Sequence, residues 1–183
     1  MGEAMDDTTT SAVLARRVRD QILFYPESHQ QDVVAIGEVV DEAEVRVDGK
    51  YRGHQMDVIR PTKGCVAGWA CHLNGDLMIV PQRGHDYSYD EDSKERWDDF
   101  LRRTYPDGGP ARVVAVNGAE DGKLTNAALR AGELLGLASI ESDWLFAEER
   151  TREEVLHALD LLGKGDRIAF QGLVDLTEYQ PGR

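Results

Sequence analysis

The sequence is short of basic residues, of cysteine and of long apolar runs, and each shortage excludes something. Lysine and arginine number 21 against 34 aspartates and glutamates, a formal net charge of −13. Non-specific nucleic-acid binding works by neutralising phosphates, so a field of this sign argues against direct contact with DNA or RNA. The small basic group Arg16, Arg17 and Arg19 is a local exception. Only two cysteines are present, Cys65 and Cys71. Two residues at that spacing on one helix cannot meet at disulfide geometry, and two make no disulfide framework. A membrane span needs about 20 consecutive apolar residues, and no stretch approaches that length. The opening MGEAMDDTTTS is polar and acidic, unlike the basic start and apolar run of a signal peptide. These absences predict a cytoplasmic chain without membrane or nucleic-acid partners.

Motifs of common chemistries are missing as well. There is no phosphate-binding Walker loop, no G-x-G-x-x-G after a strand, no G-x-S-x-G and no H-E-x-x-H. No residue is therefore assigned a catalytic role, and no cofactor is expected.

What is present is organised around Thr62–Asp76, TKGCVAGWACHLNGD. The spacing predicts a short helix with Thr62 as N-cap and Gly75 just past its end. Val66, Trp69, Ala70 and Leu73 make an apolar face, while Gly64, Gly68, Cys71 and Gly75 form a stripe with almost no side-chain bulk. Such a stripe invites close approach by another backbone and places this helix in the middle of a domain.

Around it the chain reads as mainly α within an α+β class, a compact helical domain with one or two small β-hairpin elements. Residues 1–10 read as a leader, 11–165 as one α-rich domain with an elaborated segment 77–123, and 166–183 as a C-terminal docking tail. A helix from Ser11 ends at Pro26. Ser28 could cap a second, its apolar face Val33, Val34, Ile36, Val39 and Val40. Val45 and Val47 then alternate around Asp48-Gly49, a hairpin turn dipeptide, with the hairpin running to about Ile59. Leu77–Val80 and Val113–Val116 are strand-like. Residues 82–92 read as a polar loop, and Ser93 starts a helix carrying Trp97 and Phe100. The last third is helical, with Gly136 as a C-cap, a short turn over Ile140–Phe146, and a Thr151/Glu154 capping box opening a helix that Gly163 closes.

Three patches, GCVAGWA from Gly64, AGELLGL from Ala131 and WLF from Trp144, together resemble a loose group of small actinobacterial and actinobacteriophage proteins. That group carries a C-x-A-G-W-A helix followed by L-L-G-L and L-F. The matched parts span Pro61–Gly75 and Ala127–Gly163. The resemblance implies a phage or mobile-element setting and no reaction. Members often carry C-G-T five positions ahead of the matching cysteine, where this chain has Arg60, Pro61 and Thr62.

Candidate chemistry is sparse. Cys65, Cys71 and His72 with His54 or His85 lack the C-x2-4-C or H-x3-5-H spacing of zinc sites, so no metal is expected. Cys65 at a helix start could be activated by the dipole, although a small buried cysteine in a tight helix crossing is the commoner explanation. Arg60, Lys63, Gly64, Cys65 and Arg83 cluster in sequence about the central helix and make a possible ligand site for a nucleotide. His85, Tyr87, Tyr89 and Trp97 supply aromatic anchors for protein contacts. The first expectation is a non-enzymatic acidic interaction protein that modulates a host protein. The alternative is a nucleotide-type binding protein, or a small hydrolase using cysteine or histidine.

Overall fold

The computed structural model describes residues 7–45, 54–81, 113–115, 117 and 124–168. Helix α1 spans Asp7–Phe24 and is followed by a 3-10 turn, Pro26–Ser28. Strands β1 (Ala35–Val45) and β2 (His54–Gly64) lead to helix α2, Val66–Asn74. Strands β3 (Leu77–Pro81), β4 (Val113–Ala115) and β5 (Leu124–Asn126) come next. Helices α3 (Ala127–Leu135), α4 (Ser139–Leu145) and α5 (Arg152–Gly163) complete the described chain. The α+β class holds.

The strands form one antiparallel sheet in sequence order, β1-β2-β3-β4-β5. It is larger than one or two small hairpins, because the stretch read as a second helix after Ser28 is strand β1. Valine and isoleucine in that stretch sit at spacings that serve either state, and pairing decides. Gly37 lies so close to β2 that a Cβ on it would stand 1.9 Å from the carbonyl oxygen of Arg60. The Asp48-Gly49 turn lies outside the described residues, but the strands it would join are paired from Val45↔His54 to Ala35↔Gly64.

Ile59 and Met78 face each other across β2 and β3, and both belong to the core cluster under the helices. Val58 and Ile79, the next pair along and on the opposite face by the two-residue period, are buried too. The centre of the sheet is therefore covered on both sides. Strand β3 lies in the segment read as an elaboration and is nevertheless its middle strand.

Three boundaries differ from expectation. Helix α1 starts at Asp7 rather than Ser11, so part of the supposed leader is helical. Leu124–Asn126 is a strand, and Asn126 then caps α3, its side-chain oxygen accepting from the N–H groups of Ala128 at 2.8 Å and Leu129 at 3.3 Å. The N-cap of α2 is Cys65, not Thr62. Strand β2 holds its pairing with β1 through Gly64, and the Thr62 hydroxyl donates to the carbonyl of Ile36. The expected C-caps at Gly75 and Gly136 are left-handed, with φ of 90° and 66°.

Six of the nine residues of α2 are buried, and they pack among α1, α3 and β2. Its small-residue side meets backbone directly. A Cβ on Gly68 would stand 1.8 Å from the carbonyl oxygen of Val34, and one on Gly64 would stand 2.6 Å from the same atom. The first and last helices close against each other: the Arg16 guanidinium donates to the carbonyl of Gly163, and Arg19 pairs with Asp160.

Candidate functional site

The residues singled out in sequence do not assemble into one site. Arg60 and Lys63 are exposed on β2, whereas Gly64 and Cys65 are buried against the Val33–Val34 backbone. Lys63 and Gly64 belong to a strand, so their N–H groups do not open a helix. Arg83, His85, Tyr87, Tyr89 and Trp97 lie outside the described residues.

Cys65 and Cys71 are both free and buried. Burial pushes the Cys65 thiol up, outweighing the backbone N–H groups of Gly68 and Ala67 that favour the thiolate. Burial also raises Cys71, reinforced by the neighbouring Asp76 charge. Its thiol donates to the carbonyl of Ala127 at 3.4 Å, tying α2 to the start of α3. Two protonated thiols in a core are poor nucleophiles. Among the described residues, no group of three or more histidine, cysteine or acidic side chains could hold a metal ion. Trp69 sits edge-on to His72 and donates its indole N–H to the carbonyl of Ser28, as a structural anchor does.

Two buried carboxylates went unnoticed in sequence. Asp76, just past α2, accepts from Arg130 Nε at 3.1 Å, from the N–H of Asn117 at 2.9 Å and from the Asn74 amide at 3.2 Å. Arg130 reaches on to Glu133 at 3.5 Å. Glu141 accepts from the N–H of Ala138 at 2.8 Å and from Arg167, which also donates to the carbonyl of Gly136. Both acids are paired and hydrogen-bonded, as burial requires. They fasten α2 to α3, and α4 to the segment after α5.

A concavity lies between α3 and α4. It has a volume of about 970 Å³ and is open to solvent. The left-handed cap at Gly136 turns the chain tightly enough to lay α4 beside α3, and Leu137 N–H returns to the carbonyl of Gly132 at 2.9 Å. Gly132 is buried at the crossing, where a Cβ would meet the Ser142 hydroxyl at 2.8 Å. Leu129, 69% exposed, and the half-buried Leu137 and Phe146 supply apolar walls. Glu133 and Asp143 stand exposed on the margin. Among the described residues that line it, none is lysine or arginine. An open apolar trough with acidic edges can receive the apolar side of another polypeptide and attract its cations; it is poorly suited to a phosphate.

One sequence signal for this trough was available. Leu129 falls off the apolar stripe of its helix, and Gly132 interrupts a helix interior, which normally implies a packing reason.

Comparison of the chain with family models, with curated proteins and with solved structures finds no match. Among the described residues, no helix is long and apolar enough to cross a membrane.

Proposed function

We propose that this protein is a non-enzymatic, acidic interaction protein whose α3–α4 trough takes the apolar face of a basic amphipathic helix on a partner. The observation that carries the reading is the trough itself, with exposed Leu129 and half-buried Phe146 in its walls and Glu133 and Asp143 on its margin. Helix-in-groove recognition needs an apolar channel for residues spaced three and four apart, with charges beside it that match those flanking the helix. The net charge of −13 extends the attraction beyond contact, speeding encounter with basic proteins at low salt. The resemblance to actinobacterial and actinobacteriophage proteins supports a partner in the host that such an element modulates.

A nucleotide site or a cysteine hydrolase has less in its favour. Cys65 is buried with its thiol raised, and the exposed Arg60 and Lys63 lie outside the lining of the trough.

The test uses two designed helical peptides, one of leucine and lysine and one of leucine and glutamate at the same spacing. The lysine peptide should bind, the glutamate peptide should not, and Leu129→Asp should weaken binding at least tenfold without changing the fold. Unaltered affinity for the Leu129→Asp protein would remove the trough as the binding surface.

A further inference from the structure

The two edges of the sheet are unequal. Strand β5 has three residues and runs directly into α3, which leaves little edge to pair with. Strand β1 has eleven residues and, among the described residues, pairs along one side only. Eleven residues make an edge about 36 Å long at about 3.3 Å per residue.

Long free edges are ordinarily blunted by lysine, proline, bulges or covering elements, because their unpaired main-chain groups invite another strand. β1 contains neither lysine nor proline. It has a bulge at Val40, between the pairs Val39↔Ile59 and Asp41↔Val58. One amide is taken locally, the N–H of Glu42 donating to the Asp41 carboxylate at 2.8 Å. Ile36, Val39 and Val40 are 43%, 59% and 44% exposed, so the strand is not hidden beneath another layer. Glu38, Asp41 and Glu42 are exposed among them.

Charge selects the occupant. A second copy of this chain, paired β1 to β1, would set one row of carboxylates against another, and like charges on neighbouring strands are destabilising. A segment alternating apolar residues with lysine or arginine meets no such penalty. We propose that β1 accepts a basic extended segment of another polypeptide as a sixth strand. Main-chain hydrogen bonds to the edge would supply the affinity, and cations beside Glu38 and Asp41, which share a face across the bulge, the selectivity. This surface is separate from the α3–α4 trough and stands without it.

The experiment compares two ten-residue peptides of alternating lysine and valine, one unmodified and one N-methylated at every residue. Methylation keeps the charge and removes the donors that a strand needs. Fluorescence anisotropy should show the unmodified peptide binding at least tenfold more tightly, and amide exchange should slow within residues 35–45. Glu38→Lys combined with Asp41→Lys should lower its affinity at least tenfold, whereas Leu129→Asp should leave it unchanged. Equal binding of the two peptides would reduce the effect to unspecific charge attraction and overturn the proposal. No binding, or protection confined to other elements, would overturn it as well. If the double variant does not fold, the peptide comparison on the unaltered protein still decides.

Discussion

Two close approaches in this molecule are built on glycine and differ in what stands opposite. At Gly68 on α2, the obstacle to a Cβ is the carbonyl oxygen of Val34 at 1.8 Å, with the carbonyl carbon behind it at 2.9 Å. At Gly132 on α3, it is the Ser142 hydroxyl at 2.8 Å, and the next atom is 3.8 Å away. A backbone cannot swing aside; a hydroxyl can change rotamer. The first joint is closed and lies in the core, and the second is adjustable and lines the trough. Tight packing around a glycine therefore says little until the neighbouring atom is identified.

The largest effect should come from forcing the closed joint. Gly68→Ala should cost more than about 3 kcal/mol, beyond the usual range for overpacking, because main chain has to move. Urea denaturation of the purified variant measures it, and a midpoint equal to that of the parent protein would erase the contrast. Next in size is the buried carboxylate just past the far end of α2. Asp76→Ala strips Arg130, Asn74 and the N–H of Asn117 of their acceptor, and should cost about 3–5 kcal/mol. Asp76→Asn keeps an acceptor oxygen and should cost less. Equal losses for the two variants would show that the charge matters here and a retained acceptor oxygen does not.

Acid should loosen the closed joint selectively. His29 and His72 lie on its two sides, one bridged to Gly64 and the other on α2. Both are pushed below their ordinary value of 6.5, first by burial and then by the nearby Arg152 and Arg60 charges. The folded chain prefers neutral imidazoles, so as pH falls the unfolded chain takes up these protons first. The contribution is complete above pH 6.5 and is lost as pH drops below it toward the folded values. Amide exchange at pH 7.5 and 5.5 should show α2 opening more readily at the lower pH. His29→Gln with His72→Gln should flatten that response, and an unchanged response would sink the assignment.

The adjustable joint should yield smaller numbers. Gly132→Ala should change stability by no more than about 1 kcal/mol, since a helix-favouring methyl offsets the displacement of Ser142. It should nevertheless alter affinity for the leucine–lysine peptide, because the trough changes shape. The smallest expected effect is none: a thiol reagent at neutral pH should leave Cys65 and Cys71 unmodified in the folded protein and label both in urea.

Features written in one short stretch were legible in the sequence. The caps at Gly75 and Gly136 and the Thr151/Glu154 box depend on neighbours three or four residues away, and they appear as read. The glycines at 64 and 68 marked a place of close approach, although not the partner, which is Val34. Strand β1 was misread because Val33–Val40 suits a helix as well as a strand. Only its pairing with residues up to Gly64 resolves that ambiguity. For the same reason Thr62 looked like a cap when it was still part of the sheet. Asp76 and Glu141 went unnoticed, since their partners Arg130 and Arg167 lie 54 and 26 residues away. The trough stayed hidden because it belongs to neither helix alone.

The contact between Arg16 and Gly163 also sets a clock. These residues are 147 positions apart, and a ribosome adding about 5–20 residues per second separates their emergence by about 7–30 s. Helix α1 is thus sealed late: it can rest on α2 early, but its side toward α5 waits until α5 has been made. During synthesis the nascent protein carries an open apolar seam along α1, and it closes when the final described helix arrives.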